Sequence, residues 1–365
     1  MGKGNIFKAL KIAAIGIFGG LGLAVIAGVA YHTYLRHETR EKLAIHTPNG
    51  IQEAMYVPIG GIDQWIQIRG QDRANPVLLY LHGGPGGSAL IATPEWQPWE
   101  QYFTVVQWDQ RGAGRTYRKS GSSVAPTMTI DRMVADGLEV AQFLRAHLQK
   151  DKIVLVGHSW GSILGIRMVK QRPDLFAAYV GTGQVVNMRD NERFNYAHVT
   201  AQAKAANNQE ALQSLGEVGA PPYSEIRQLA TERKWADILA VGKGDTPGPS
   251  VKAMPDLSLL DMFYTFRGFS FSQVQLAGAS MDGPLMSVDL QLLGTDFAIP
   301  VFFFEGTEDQ QTPIEPAEQY FEKITAPTKE FVRFEGDHHF VVFNRPDEFL
   351  KQLLALVRPL TDPPP

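Results

Sequence analysis

The sequence Gly-His-Ser-Trp-Gly at residues 157–161 decides the fold of this chain. A β-branched apolar run at residues 152–156 precedes it and is typical of a buried strand, and apolar residues at helical spacing follow it over residues 162–170. A Gly-x-Ser-x-Gly sequence between a strand and a helix predicts a sharp turn, in which the two glycines leave room for a strained serine. The hydroxyl of Ser159 would then project outward at the start of the helix. The alternative is an ordinary glycine-rich turn between a strand and a helix, in which the serine has no catalytic role.

Strands and helices alternate on both sides of this turn. Strands are predicted at residues 53–59, 64–68, 77–81, 103–108, 177–182, 300–305 and 330–334, and helices at residues 130–148 and 347–357. Such alternation predicts an α/β fold with a mostly parallel central sheet and helices on both faces.

The alternation is interrupted between residues 187 and 296, where helical patterns dominate and no buried-strand run is evident. Because the strands resume afterwards, we interpret this segment as a helical cap inserted into the sheet domain and covering Ser159. A separate domain with its own function is the weaker alternative. The predicted division is residues 1–42 for an N-terminal anchor with its flanks, 51–186 and 297–360 for the two parts of the sheet domain, and 187–296 for the cap.

Residues 12–35 form an uncharged, largely apolar stretch between Lys11 and Arg36. As a helix it would be about 36 Å long, which exceeds the roughly 30 Å hydrocarbon core of a bilayer. The sequence therefore predicts one N-terminal transmembrane helix, through which the protein would contact a membrane. A cleaved signal peptide and a secreted product are the alternative, because Gly28-Val29-Ala30 supplies small residues suited to cleavage. Lys/Arg residues are balanced across the stretch, but the short lysine-bearing tail favours a catalytic domain on the extracytoplasmic side.

Composition excludes several classes of function. Beyond residue 42 the chain carries 28 Lys and Arg against 36 Asp and Glu, so the domain is acidic and lacks the basic balance that nucleic-acid binding requires. The chain has no cysteine, which excludes disulfides, thiolate metal sites and a cysteine nucleophile. No metal and no cofactor are implied.

A serine becomes an effective nucleophile when an imidazole takes its proton and a carboxylate orients that imidazole. In a sheet with this serine turn the chain order is serine, acid, histidine. Only His338 and His339 lie beyond the strand expected to follow the acid. Asp309 follows the strand at residues 300–305 and is the favoured acid over its neighbour Glu308.

An oxyanion hole requires two backbone donors near the serine. The amide of Trp160, directly after the nucleophile, is expected to supply one of them. The other is expected from Gly83 or Gly84, in the sequence His-Gly-Gly-Pro-Gly after the strand at residues 77–81. A phosphate-binding turn is the alternative for this glycine-rich loop, but the lysine and the Ser/Thr of such a turn are missing.

Three motifs in order identify a family resemblance: His-Gly-Gly-Pro-Gly at 82–86, Asp-Gln-Arg-Gly-Ala-Gly-Arg-Thr at 109–116, and Ser-Trp-Gly-Ser at 159–162. Together they resemble the proline iminopeptidases of the α/β-hydrolase superfamily, over residues 51–186 and 297–358. The resemblance implies an α/β-hydrolase fold, a cap that closes over the substrate, and a triad of Ser159, Asp309 and a histidine. The family's histidine follows a Gly-x-Gly turn, which favours His339 if His338 replaces the second glycine.

The chain departs from the family in three respects. His158 stands where many proline iminopeptidases have glycine, and an N-terminal membrane segment is not part of the usual cytosolic pattern. No Trp-Glu dipeptide occurs between residues 187 and 297, where the family presents a carboxylate to the substrate's free amine. Cap carboxylates that are candidates for this role are Glu192, Glu225, Glu232, Asp256, Asp261 and Asp282.

The sequence thus predicts a membrane-anchored serine hydrolase, and its favoured substrate is a small peptide with N-terminal proline or a small apolar residue. A carboxylesterase or lactonase is the alternative, and a non-catalytic binding module on the same fold is a second one. Epoxide hydrolysis and dehalogenation are disfavoured because those members of the fold carry an aspartate at the position of Ser159.

Overall fold

The computed structural model describes residues 3–241 and 257–361. Within these ranges the chain forms one sheet of eight strands in the order β1-β2-β4-β3-β5-β6-β7-β8. The strands are β1 (Ile51–Ile59), β2 (Ile62–Gly70), β3 (Val77–Leu81), β4 (Thr104–Asp109), β5 (Ile153–His158), β6 (Phe176–Thr182), β7 (Val301–Gly306) and β8 (Lys329–Phe334). β2 is antiparallel to β1 and β4, and the remaining neighbours are parallel. The expectation of a mostly parallel sheet is confirmed.

Helices cover both faces of this sheet. The helices of the described residues are α1 (Lys3–Lys42), α2 (Gly114–Ser120), α3 (Ile130–Leu148), α4 (Trp160–Gln171), α5 (Met188–Ala205), α6 (Gln209–Val218), α7 (Ile226–Val241), α8 (Leu259–Ala277), α9 (Ile314–Lys323), α10 (Val341–Asn344) and α11 (Pro346–Gln352). The closing helix expected at residues 347–357 is α11 followed by a wider turn at Leu353–Val357.

Two apolar layers flank the sheet because successive side chains of a strand point to opposite faces. Leu79 and Leu81 of β3 belong to one layer, which includes residues of α3 and α4. Leu78 and Tyr80 belong to the other, which includes Trp96 and the C-terminal helices. Burial on both faces explains why β3 reads as a continuous apolar run rather than an alternating one.

The chain segment between β6 and β7 contributes α5, α6, α7 and α8, which we call the helical insertion. α5, α6 and α7 share a small apolar core of their own around Val199, Leu215 and Trp235. α8 instead packs on α2 and the turn before it, where Ser272 Oγ donates to the carbonyl oxygen of Gly112 at 3.0 Å. The insertion therefore meets the sheet domain at the edge where the parallel strands end.

α1 precedes the sheet domain as a long helix. Its part at Phe18–Lys42 is long and apolar enough to cross a membrane or to serve as a signal sequence, and its apolar side chains are exposed. The end of the helix is tied to the sheet domain, because Arg69 donates to the carbonyl oxygen of Leu43 and Gln97 Nε2 donates to that of Lys42 at 3.2 Å. The apolar stretch therefore ends close to the sheet edge formed by β1 and β2.

Candidate active site

The turn between β5 and α4 holds Ser159 in an unusual backbone conformation, with φ +55° and ψ −123°. A positive φ is rare for a residue other than glycine. The turn is tightly packed, because a Cβ placed on Gly157 would lie 2.7 Å from the carbonyl oxygen of Gly161, and one on Gly161 would lie 2.1 Å from that of Leu81. Ser162 Oγ donates to the Ser159 carbonyl at 2.6 Å and completes the first turn of α4. Both glycines of the motif are therefore required by backbone contact.

Asp309 and His339 are in direct contact. His339 Nδ1 lies 2.8 Å from Asp309 Oδ2, and both side chains are buried. Thr312 Oγ1 donates to the same Oδ2 at 2.7 Å, and the amides of Gln311 and Thr312 donate to Oδ1 at 2.7 and 2.8 Å. Burial alone would raise the pKa of Asp309, but His339 and the hydrogen bonds from Thr312 outweigh it and hold the pKa below its usual range. Asp309 is therefore an ionised, fully hydrogen-bonded carboxylate.

The rival residues Glu308 and His338 contact each other instead. His338 Nδ1 lies 2.8 Å from the carbonyl oxygen of Glu308. Neither residue lines the cavity that contains Ser159 and His339. The structure thus pairs Asp309 with His339, places His339 and Ser159 in the walls of one cavity, and leaves Glu308 and His338 out of that lining.

The cavity over Ser159 has a volume of about 700 Å³. Its walls come from the ends of the sheet strands and from α5, α7 and α8 of the helical insertion. Residues of these walls include Gly84, Ser159, Trp160, His339, Glu192, Arg233, Asp237, Phe269 and Val274. The insertion therefore covers the serine, and a molecule in the cavity would contact both parts of the fold.

Gly83, Gly84 and Trp160 surround Ser159. A Cβ on Gly83 would lie 3.0 Å from the Ser159 Cβ, so the backbone of Gly83 runs against the serine, and Gly84 lines the cavity. Trp160 is the first residue of α4, and a first-turn amide has no partner within its own helix. The structure therefore places all three expected oxyanion residues beside the serine.

Gln110 connects this glycine loop to the serine turn. Its Oε1 accepts from Trp160 Nε1 at 2.9 Å, and its Nε2 donates to the carbonyl oxygen of His82 at 3.2 Å. The amide of Gln110 also donates to His82 Nε2 at 3.2 Å. Burial lowers the pKa of His82 to about 4, so this imidazole is neutral and accepts that bond.

The rest of the 109–116 motif braces the loops around the site. Asp109 accepts from Ser88 Oγ at 2.6 Å and from the amide of Arg115 at 2.8 Å. Arg111 Nε lies 2.8 Å from Asp136 Oδ2, and both side chains are buried. The motif therefore holds the loops around the site in position.

His158 occupies the position before the nucleophile. Its Nε2 lies 2.9 Å from the carbonyl oxygen of His339. Burial, together with the neighbouring His339, lowers the pKa of His158 to about 3. Since a carbonyl oxygen only accepts, the neutral ring carries its proton on Nε2.

Among the cap carboxylates expected from the sequence, Glu192 lies in the cavity wall. It is buried and receives two hydrogen bonds from Arg233 Nη2, at 2.7 and 2.9 Å. Glu232 lies behind it, where it pairs with Arg233 at 3.2 Å and accepts from Tyr223 at 3.0 Å. Burial raises the pKa of Glu192, and Glu232 adds to the shift while Arg233 opposes it.

The other cap carboxylates stand elsewhere. Glu225 and Asp282 are exposed and do not line the cavity. Asp261 caps the start of α8 through Ser258 and pairs with Arg118 at 2.7 Å. Asp256 lies outside the described residues.

Asp237 is a cavity carboxylate that sequence reasoning missed. It is half-buried, and burial raises its pKa while Arg233 and His339 oppose that shift. Ile226, Ala230, Arg233 and Asp237 all line the cavity and recur along α7 at spacings of three and four residues. The helical spacing of these residues was the signal that the sequence offered, and it does not by itself place α7 over the cavity.

Comparisons with known proteins agree with this architecture. A family model for the alpha/beta hydrolase fold matches residues 76–346. The probable aminopeptidase YbaC of Bacillus subtilis is 34% identical over 304 residues, covering 81% of this chain and 93% of that relative. The proline iminopeptidase of Saccharolobus solfataricus is 36% identical over 115 residues, covering 31% of this chain and 35% of that relative. The crystal structure of a Mycobacterium smegmatis proline iminopeptidase has a TM-score of 0.64 at 19% identity, covering 85% of this chain and 99% of that one.

Proposed function

The chain belongs to the α/β-hydrolase family and is a hydrolase similar to proline iminopeptidases, and we propose that it is a membrane-anchored serine aminopeptidase. Its substrates are peptides with N-terminal proline or a small apolar residue. The observation that supports this proposal best is the 2.8 Å contact between Asp309 and His339 Nδ1, beside a cavity that also contains Ser159. With Nδ1 bonded to the carboxylate, Nε2 is the nitrogen that serves as base.

The proposed reaction proceeds through an acyl-enzyme. His339 Nε2 takes the proton of Ser159 Oγ, which attacks the scissile carbonyl carbon, and Asp309 stabilises the imidazolium. The amides of Trp160 and of Gly83 or Gly84 donate to the oxyanion. His339 then protonates the leaving amine as the C–N bond breaks. Water, deprotonated by His339, attacks the ester carbon and releases the N-terminal residue from Ser159 as a free acid.

Preference for a free amine is supported by the charges of the insertion. Glu192 and Asp237 line this wall together with Arg227 and Arg233, and Glu232 behind them leaves the carboxylates in excess by one. Glu192 is engaged by Arg233 through both oxygens, whereas Asp237 is the half-buried carboxylate on the same wall. We assign Asp237 as the main contact of the substrate ammonium, because a charge-assisted bond is stronger away from water.

A carboxylesterase or lactonase is the second candidate. It is favoured by the apolar side chains that line the rest of the cavity, which suit an acyl chain: Ile163, Val185, Met188, Leu229, Leu285 and Met286. Such an enzyme would use the same serine and histidine without an amine contact.

Membrane anchoring is the other part of the proposal. It is supported by α1, whose part at Phe18–Lys42 is long and apolar enough to cross a membrane. Retention of the protein in membranes after alkaline carbonate extraction is the expected result. Recovery of a chain lacking residues before 31 in the soluble fraction would instead mean a cleaved signal peptide.

The first experiment measures turnover of prolyl and alanyl arylamides and of short-chain aryl esters by the detergent-solubilised protein, with Ser159→Ala as the control. We expect cleavage of prolyl arylamide that depends on Ser159 and is lost when the amine is acetylated. Cleavage of esters alone would favour the second candidate. Full activity of Ser159→Ala would contradict the serine mechanism altogether.

A further inference from the structure

The helix α8 carries large apolar side chains on the face that points away from the protein. Leu259, Phe263, Phe266 and Val274 are 48%, 55%, 69% and 48% exposed. Their spacing of four, three and eight residues places them on one side of the helix, which we call the outer face. Arg267 lies at its edge, and the only carboxylate of α8, Asp261, is buried on another side. An exposed aromatic stripe of this kind marks an interaction surface.

The opposite side of α8 is fixed against the sheet domain. A Cβ on Gly268 would lie 2.7 Å from the carbonyl oxygen of Gly112, and Ser272 Oγ donates to that same oxygen at 3.0 Å. The Phe271 ring stacks on Tyr117 with centroids 4.9 Å apart. Because these contacts set the rotation of the helix, they turn the outer face away from the part of the sheet domain on which α8 packs.

A second cavity connects the start of α8 with the end of α1. It has a volume of about 860 Å³ and is lined by Arg36 and Arg40 of α1, Arg115 and Arg118 of α2, and Asp261 of α8. Arg36 is the first charged residue after the apolar stretch of α1. If α1 spans a bilayer, this cavity and the first turn of α8 lie at the level of the lipid headgroups.

The charges at this level suit an anionic surface. Of the described residues that line the second cavity, six are Arg or Lys and three are Asp or Glu. Asp261 is shared by two guanidinium groups, Arg118 at 2.7 Å and Arg115 at 3.4 Å. Cations beside an exposed aromatic face are characteristic of helices that lie in the headgroup region of a bilayer. A second copy of the chain would bring like charges together at the same place.

The outer face also borders the active-site cavity. Phe269 and Val274 of α8 line that cavity and are exposed at the same time. We propose that the outer face of α8 docks onto an anionic lipid surface. The entrance of the active-site cavity then opens at the membrane. Substrates that partition into the bilayer reach Ser159 directly from the membrane. This inference rests on the proposed anchoring by α1.

The absence of cysteine from the chain allows a direct test. Phe263→Cys and Phe266→Cys, each labelled with a polarity-sensitive fluorophore, are reconstituted as full-length protein in vesicles of phosphatidylcholine and phosphatidylglycerol. We expect blue-shifted emission and quenching by spin-labelled lipids at both positions. Leu292→Cys is the matched control, because Leu292 is an apolar residue with 84% exposure outside α8 and its label is expected to report water.

Each alternative result has a distinct meaning. Water-like emission at positions 263 and 266 in protein that resists carbonate extraction would overturn docking while leaving the anchor intact. Release of the protein by carbonate would refute the anchor, and the docking proposal with it. Close approach of two nitroxide labels at position 266 in separate copies would assign the face to a dimer instead and would also overturn the proposal.

A kinetic experiment tests the consequence for substrates. The double variant Phe263→Glu/Phe266→Glu is expected to raise the KM for a prolyl arylamide that carries a long alkyl chain on its aryl group, presented in vesicles, about tenfold or more. Its kcat/KM for a water-soluble short-chain substrate is expected to be unchanged, which also shows that the variant folds. Leu292→Glu is expected to alter neither value. Equal losses on both substrates would contradict a role at the membrane.

Discussion

The imidazole of His158 donates from Nε2 to the carbonyl oxygen of His339 across 2.9 Å. The residue that precedes the serine in the chain thus holds the backbone of the histidine that we propose as its base. His158 is buried beside His339, with ring centroids 4.8 Å apart. The position where the family often has glycine therefore carries a positioning residue in this chain.

Two substitutions of His158 are expected to separate the effect of its hydrogen bond on activity from the effect of its size. His158→Phe keeps a ring but removes the donor, and we expect kcat to fall about fivefold with a smaller change in KM, since a net hydrogen bond is worth about 1 kcal/mol. His158→Gln restores a donor and is expected to recover most of the activity. Steady-state kinetics on an active arylamide or ester provide the measurement. Full activity of His158→Phe, with a loss in His158→Gln, would mean that the side chain acts through packing alone.

Asp309 is expected to be needed for turnover and Glu308 is not. Asp309→Asn removes the charge that orients and stabilises the His339 imidazolium, so kcat is expected to fall by about 10³ to 10⁴. Glu308→Gln, one residue away, is the matched control with near-normal kcat expected. Steady-state kinetics and labelling of Ser159 by a fluorophosphonate check both variants. The reverse pattern would transfer the acid to Glu308.

Asp237 is expected to control recognition of the substrate amine. Asp237→Asn should raise the KM for prolyl arylamide about tenfold to a hundredfold, because a hydrogen bond to a charged group contributes about 1.5–3 kcal/mol. Hydrolysis of an aryl ester, which has no ammonium group, should be little affected. Glu225→Gln, an exposed carboxylate at the start of the same helical region, is the control. An unchanged KM for the arylamide would exclude Asp237 as the amine contact.

The buried histidines are expected to make stability depend on pH. The pKa of His158 is about 3 in the folded state, against about 6.5 for an accessible histidine, so the unfolded chain binds one more proton between these values. The contribution of His158 is therefore lost as the pH falls below about 6.5, at about 1.4 kcal/mol per pH unit. Denaturant titrations at pH 6.5 and 5 should show a smaller pH dependence for His158→Gln than for the native chain. Equal pH dependence would mean that His158 is accessible to protons in the folded state.

The glycines of the serine turn are expected to be essential for folding. Gly161→Ala would place a Cβ 2.1 Å from the Leu81 carbonyl oxygen, so we expect a loss of about 3 kcal/mol or more in the free energy of unfolding. Gly216→Ala is the control, because a Cβ there meets nothing within 4 Å and alanine favours the helix α6. The melting temperatures of the two variants compare these effects. A stable Gly161→Ala protein would mean that β3 shifts to accommodate the methyl group.

Sequence reasoning recovered the sheet because its strands have strong local signals. β3 was predicted with the bounds Val77–Leu81 that the structure shows, and so was α3 at Ile130–Leu148, since a doubly buried strand and an amphipathic helix each leave a clear apolar pattern. The bounds of the other strands differ from the predicted ones by one or two residues. At β4, for example, a turn rather than an apolar residue ends the strand.

The details of the site depend on contacts between distant parts of the chain. The chemistry of the sequence favoured Asp309 over Glu308, but the path of the chain after β7 sets which side chain faces His339. The bond from His158 to a backbone oxygen leaves no trace in a residue pattern. Asp237 was missed because a lone carboxylate on a helix reads as surface until the helix is placed over the cavity.

The bonds that Gln110 makes to His82 and to Trp160 have a consequence for how the enzyme would cycle. They join the glycine loop, the end of β4 and the serine turn, so these three segments form one connected floor of the site. Any widening of the cavity for a larger substrate or product therefore falls to the roof, made of α5, α7 and α8. When bond cleavage is fast, the motion of this roof would limit the turnover rate of the enzyme.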